Sequence, residues 1–201
     1  MSGGKVISVL AFPVLLSIGI FLIPVVSDYS DHELAAQAVG KTDLWVAGHL
    51  ISAMGFGLSG WASCTVVDEL HRGSSRVPSF ILPFIGIGAG LYAAGLGVDG
   101  LGPVIVNSSG ASPVSFFDAS GWYVSGVFML ATFFFAIGLI SLVIHVIRGE
   151  LVVGPWRYVV FISALVFVSA PAIPSGWGLY GEALAALGVF APIGISIGRS
   201  S

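Results

Sequence analysis

Six apolar stretches alternate with short polar connections along this chain, at about residues 6–26, 44–67, 78–98, 121–147, 155–172 and 177–197. A helix needs about 20 mostly apolar residues to cross the hydrocarbon core of a bilayer. Each stretch therefore predicts a spanning helix, the fifth being the shortest. Thr42 and Asp43 stand where a cap for the second helix is needed. Pro78 and Pro155 fit first turns, where a proline's missing N–H would have had no partner anyway. Pro13 and Pro192 fall inside spans and predict kinks. The first stretch also carries features of a secretory signal, with Lys5 ahead of the apolar run and Val25-Val26-Ser27 as a cleavage site. That run, about 21 residues with two prolines, exceeds the usual signal core of about 7–15 and reads as a span.

Composition turns this pattern into a statement about solvent. Of 201 residues, 56% are hydrophobic and only 8% charged, against about 25% charged in a soluble domain. Such a chain cannot cover its surface with polar groups, so lipid must be its surroundings. The 28 glycines fit helices that approach closely through small residues. A net charge of −3 with no basic run points away from a nucleic-acid partner. Cys64, the single cysteine, excludes an internal disulfide or a multi-cysteine metal site and reads as a small packing residue.

Charge then sets orientation. If six spans alternate, Lys5, Arg72, Arg76, Arg148, Arg157 and Arg199 share one side and Lys41 alone takes the other. The positive-inside rule puts both termini in the cytoplasm. The outer loops hold Asp28, Asp31, Glu33, Asp43, Asp99 and Asp118. Tyr29, Trp45, Trp122, Tyr123, Trp177 and Tyr180 are expected at the outer interface, Trp156 and Tyr158 at the inner one. In the first outer loop, Ser30 and Glu33 have capping-box spacing ahead of Leu34–Val39, with Gly40 as a stop, predicting a short surface helix. Residues 99–120, rich in Gly, Ser, Pro and Asn, read as a longer loop. Its apolar Val104-Ile105-Val106 and Phe116-Phe117 fold it back over the bundle mouth. No internal repeat is evident. The expected fold is one all-α domain, residues 1–201: a polytopic integral membrane bundle of six transmembrane helices in a prokaryotic plasma membrane.

Ionisable groups within spans are costly and are functional candidates by default. His49 and Glu182 each lie five residues inside their predicted spans, entering from the same side and so sharing a depth roughly 7–8 Å below the outer boundary. Asp99, at the outer end of the third span, lies slightly higher. These three converge in the expected outward-facing pocket, with Ser52 and Tyr180 as further ligand-binding residues and Ser125, Thr132 and Tyr92 as accessory polar groups. The second span carries a small-residue stripe, Gly48, Ser52, Gly55, Ser59 and Ser63, and the third a comparable one, Gly86, Gly90, Ala93 and Gly97. The competing reading of His49 and Glu182 is a hydrogen-bonded tie between helices, worth about 0.6–2 kcal/mol in membrane systems.

Other chemistries fare worse. A haem between His49 and His145 fails on depth, because the two lie near opposite faces. His71 reads as loop beyond its helix. Asp28, Asp31, His32 and Glu33 are an acidic cluster open to a cation but more in keeping with a solvated loop. No phosphate loop, no Gly-x-Ser-x-Gly and no His-Glu-x-x-His occurs. No cofactor, metal or catalytic residue is indicated. Three classes remain: a protein binding a small molecule or lipid, an accessory subunit docking on a larger membrane complex, and a membrane enzyme acting on a lipid-like substrate.

Overall fold

The computed structural model describes residues 2–200, and every regular element among them is helical. In chain order these are α1 (Ser2–Leu22), α2 (His32–Val39), α3 (Thr42–Arg72), α4 (Ile81–Ser108), α5 (Val114–Arg148), α6 (Trp156–Ser169) and α7 (Gly176–Ser200). A single 3-10 turn, Ala170–Ala172, extends α6. Five of them, α1, α3, α4, α5 and α7, are long and apolar enough to cross a membrane. Helix α6 with its 3-10 turn is shorter, about 27 Å at the usual rise per residue.

Helix α1 is the central post. It packs on α3 along one side and α7 along the other, while α4 pairs with α3 and α5, and α6 with α7 and α5. The α1–α3 approach is close because the α3 stripe faces α1: a Cβ on Gly48 would lie 2.5 Å from Ile23, and one on Gly55 2.8 Å from the Leu16 backbone. Beneath that seam sits Phe12, whose ring contacts those of Phe56, Phe135, Phe167 and Phe190. These rings lock α1, α3, α5, α6 and α7 together. Lys5 on α1 pairs with Glu69 near the end of α3 at 2.6 Å, and Gly176 N–H at the start of α7 donates to Val26 O at 2.7 Å. Neighbouring helices therefore run antiparallel. Lys5, Arg72 and Arg199, at the start of α1 and the ends of α3 and α7, gather at one end of the bundle.

The structure corrects several expectations. Residues 99–120 are not a long loop: α4 continues through Pro103 to Ser108, and α5 begins at Val114. Only five residues join them, turning at Gly110, whose φ of +85° suits glycine. Phe116 lies against Gly102, and Phe117 and Val104 pack on a second apolar cluster of Ile23, Val26, Ala35, Ala38, Val39 and Trp45. That cluster closes the end of the bundle opposite Lys5, Arg72 and Arg199.

The cap of α2 is Asp31, which accepts from the N–H groups of Glu33 and Leu34; Ser30 instead turns back to Asp28. Neither Thr42 nor Asp43 caps α3, which starts from Lys41 without a side-chain cap; the Thr42 hydroxyl donates to Val39 O. Pro78 precedes α4 rather than sitting in its first turn, and Pro155 is the residue just before α6. His71 belongs to the last turn of α3. Trp45 is an interior residue, 0% exposed, unlike Trp122 at 80%.

The predicted α4 stripe also points the other way. Nothing lies within 4 Å of a Cβ on Gly86, Gly90 or Gly97, whereas Gly88 and Gly95 face Phe135 and Phe128 of α5. Apolar residues surround α4, so hydropathy gave no cue to its inward face. Ser125 is exposed on α5.

Candidate functional site

The end of the bundle opposite Lys5 and Arg199 is organised by a proline four residues after an aspartate. Pro103 has no N–H, so the Asp99 carbonyl one turn earlier loses its helical donor. Trp45 of α3 replaces it, its indole Nε1–H donating to Asp99 O at 3.1 Å. One turn further along α3, His49 lies against Trp45, ring centroids 4.4 Å apart. Gly100 makes room for the imidazole: a Cβ there would lie 2.6 Å from the His49 Cβ. The His49 Nδ1–H donates to the Trp45 carbonyl at 2.7 Å. Since a carbonyl only accepts, that nitrogen carries a proton. Nε2 lies within hydrogen-bond reach of Asp99 Oδ2, at 3.2 Å. His49 is 3% exposed, while the Asp99 side chain, 20% exposed, reaches water. His49 and Asp99 are thus brought together as one α3–α4 layer.

Glu182 is not in that layer. It lies on α7, on the far side of α1 from α3, with both His49 nitrogens already engaged by other atoms. Glu182 is 3% exposed, and its Oε1 is buried without a hydrogen-bond partner. The Ser17 hydroxyl of α1 donates chiefly to Pro13 O at 2.7 Å, with the carbonyl of Ala183, the neighbour of Glu182, a secondary acceptor at 3.3 Å, so α7 lies against α1 at this level. Across the buried apolar cluster that includes Ala183 lies Tyr92 of α4. The Tyr92 hydroxyl is bonded to Thr132 Oγ1 at 2.6 Å, and Thr132 donates its own proton to Phe128 O at 2.8 Å. Tyr92 must therefore be the donor to Thr132. Ser52 faces Gly19 of α1, its buried hydroxyl unpartnered. The Tyr180 ring packs edge-on against Phe21 and Trp177.

Above this layer, His32 of α2 meets Asp118 of α5 at 2.6 Å, a pairing no sequence spacing announced. The acidic loop is committed piecemeal: Ser30 donates to Asp28, holding that carboxyl below its ordinary range, while Asp31 caps α2. Among the described residues, no group of three or more His, Cys, Asp or Glu is arranged to hold a metal. Half-buried Tyr29 donates its backbone N–H to Pro174 O at 2.9 Å. Burial and then the Asp99 charge hold its hydroxyl above the ordinary tyrosine range. A surface cleft of about 320 Å³ lies beside α2, lined by Pro24, Val25, Val26, Leu34, Gln37 and Lys41 among others. Neither His49 nor Glu182 lines it.

Compared with known proteins, the chain matches no family model, no curated protein and no solved structure.

Proposed function

We propose that this chain is an integral membrane protein of six spans in a prokaryotic plasma membrane, with both termini cytoplasmic, and that it binds a small molecule or lipid reaching Glu182 from the outer side. The antiparallel run of neighbouring helices supports the six-span count, α6 and its 3-10 turn forming the short fifth crossing. The basic residues at one end support the orientation.

The binding reading is carried by the buried Glu182 oxygen that no protein group satisfies. A carboxyl in a span is expensive and is kept where it meets something other than the fold. In this reading the layer of Trp45, His49 and Asp99 is the outer closure, and the bundle described is its closed form. The cleft beside α2 adjoins Val26, which bonds the first residue of α7, and in this reading it is where a ligand first docks before the bundle opens. The test is native mass spectrometry of protein extracted in mild detergent. A bound small molecule or lipid should be retained by wild type and lost from Glu182→Gln, with helicity and melting unchanged. Equal retention by both proteins, or none by either, refutes it.

One observation favours a second reading, an accessory subunit. The α4 face bearing Gly86, Gly90 and Gly97 is open, and such faces seat neighbouring helices in membranes. Leucine at Gly90 should then dissociate a larger complex in native gels without unfolding the chain. An enzymatic reading needs His49 and Glu182 on one cavity, and the hydrogen bonding of His49 to Trp45 and Asp99 gives it no support.

A further inference from the structure

We infer that Glu182 is a proton-binding site that exchanges with water on the outer side. The inference rests on reading Glu182 as the group that meets a ligand, and it names the proton as a ligand of that group. A buried carboxylate requires a countercharge, so the side chains facing it decide what that is.

Helix α7 packs on α1, α6 and the 3-10 turn. The one charged side chain of α1 is Lys5, paired with Glu69 at the far end. Those of α6 that titrate, Arg157 and Tyr158, stand in its first turn, at the end remote from the start of α7. The 3-10 turn, Ala-Pro-Ala, has none. On α7 itself, Tyr180 is turned to Phe21 and Trp177, and Arg199 lies in the last turn. On α3, both nitrogens of His49 are taken. Among the described residues, then, no cation faces Glu182.

A metal ion is disfavoured as well, since hard cations take about six or more oxygens and Oε1 has no polar partner. The other titratable side chain of this buried interior is Tyr92 of α4, which shares its apolar cluster with Ala183, the neighbour of Glu182. Tyr92 commits its one proton to Thr132, so it has no donor to offer a carboxylate but keeps a lone pair for a carboxylic acid. The chemistry of this interior thus fits the protonated acid and not the anion. Glu182 lies six residues from the start of α7, about 9 Å along the axis, and much further from its cytoplasmic end. Outer water is the near source. The step is a simple addition: one proton from that water joins the carboxylate and returns on opening.

The experiment is infrared spectroscopy of the full chain in lipid bilayers, with its glutamates labelled by carbon-13. At neutral pH the wild type should show a labelled carboxylic-acid C=O band that shifts in heavy water and gives way to carboxylate bands as pH rises. Glu182→Gln should lose that band. If Gln does not fold at this position, Glu182→Asp serves, because the band then loses its label. Spectra of wild type and variant that superimpose in this region overturn the inference. Bound-ligand mass, measured on the same proteins, separates the two ideas. A carboxylic band with equal ligand retention leaves the proton site standing and sinks the small-molecule reading; no band with retention lost does the reverse.

Discussion

The bond between Trp45 and the Asp99 carbonyl gives the sharpest quantitative prediction, because the cause of that carbonyl's need is a separate residue. Trp45→Phe keeps an aromatic ring on the His49 face but removes the indole N–H. The carbonyl left behind is part-buried and has no helical donor, since residue 103 is proline. Leaving a buried acceptor unsatisfied costs about 1–3 kcal/mol, and membrane helix contacts of this kind fall near 0.6–2 kcal/mol. The smaller ring adds a packing loss of its own, so the single variant alone does not isolate the bond. Pro103→Ala does, because it returns a backbone N–H to the Asp99 carbonyl. In that background Trp45→Phe should cost less by about 1–2 kcal/mol, the packing loss being common to both. Reversible unfolding of the four proteins in mixed micelles measures the coupling. A cost for Trp45→Phe that is the same with proline and with alanine at 103 would show that the indole is held by packing alone. The idea that Trp45 exists to repair the proline would then be wrong.

Three further outcomes follow from the same geometry. Gly88→Val forces a side chain to within 2.5 Å of the Phe135 backbone, while Gly90→Val meets open space. The first should lower stability by about 1–3 kcal/mol and the second by little, as read from melting in detergent. Asp99→Ala leaves His49 Nε2 without a partner and should cost about 1–3 kcal/mol. Asp99→Asn offers an amide donor to the same nitrogen and should be milder, and equal costs would show that the Nε2 contact contributes nothing. Tyr29 gives a pH test: its folded pKa is raised, by burial first and Asp99 second. The stability it contributes is therefore fully present below its unfolded value of about 10 and declines as pH rises beyond that. Wild type should lose stability above about pH 10 relative to Tyr29→Phe, and parallel pH curves for the two proteins would contradict the assignment.

Depth along a helix was legible in the sequence, and azimuth around it was not. Counting residues from the outer boundary set His49 and Asp99 near one level, and the structure joins them in one hydrogen bond. The same count set Glu182 at a similar depth, but depth cannot say that α1 stands between α3 and α7. Where a helix meets lipid on one side and apolar neighbours on the other, its hydropathy is nearly uniform around the axis. That is why the α4 stripe was turned outward from its expected face. The Gly, Ser and Pro content of residues 99–120 concealed helix for a related reason. Local propensity sees a proline as a break, whereas a donor on another helix removes much of the penalty. The clue lay in the spacing, since Pro103 and Asp99 are four apart and Trp45 heads the helix that lies alongside. Several polar groups at the end opposite Lys5 are accounted for by such repairs: Trp45 serves a carbonyl, His49 a carbonyl and a carboxyl, Asp31 two backbone N–H groups. Ser52 and Ser63 also keep buried hydroxyls without partners, but a neutral hydroxyl costs far less to bury than an ionised carboxylate. Glu182 repairs nothing in the backbone or side-chain network, and that asymmetry is what turns a costly residue into the one whose substitution tests function and not folding.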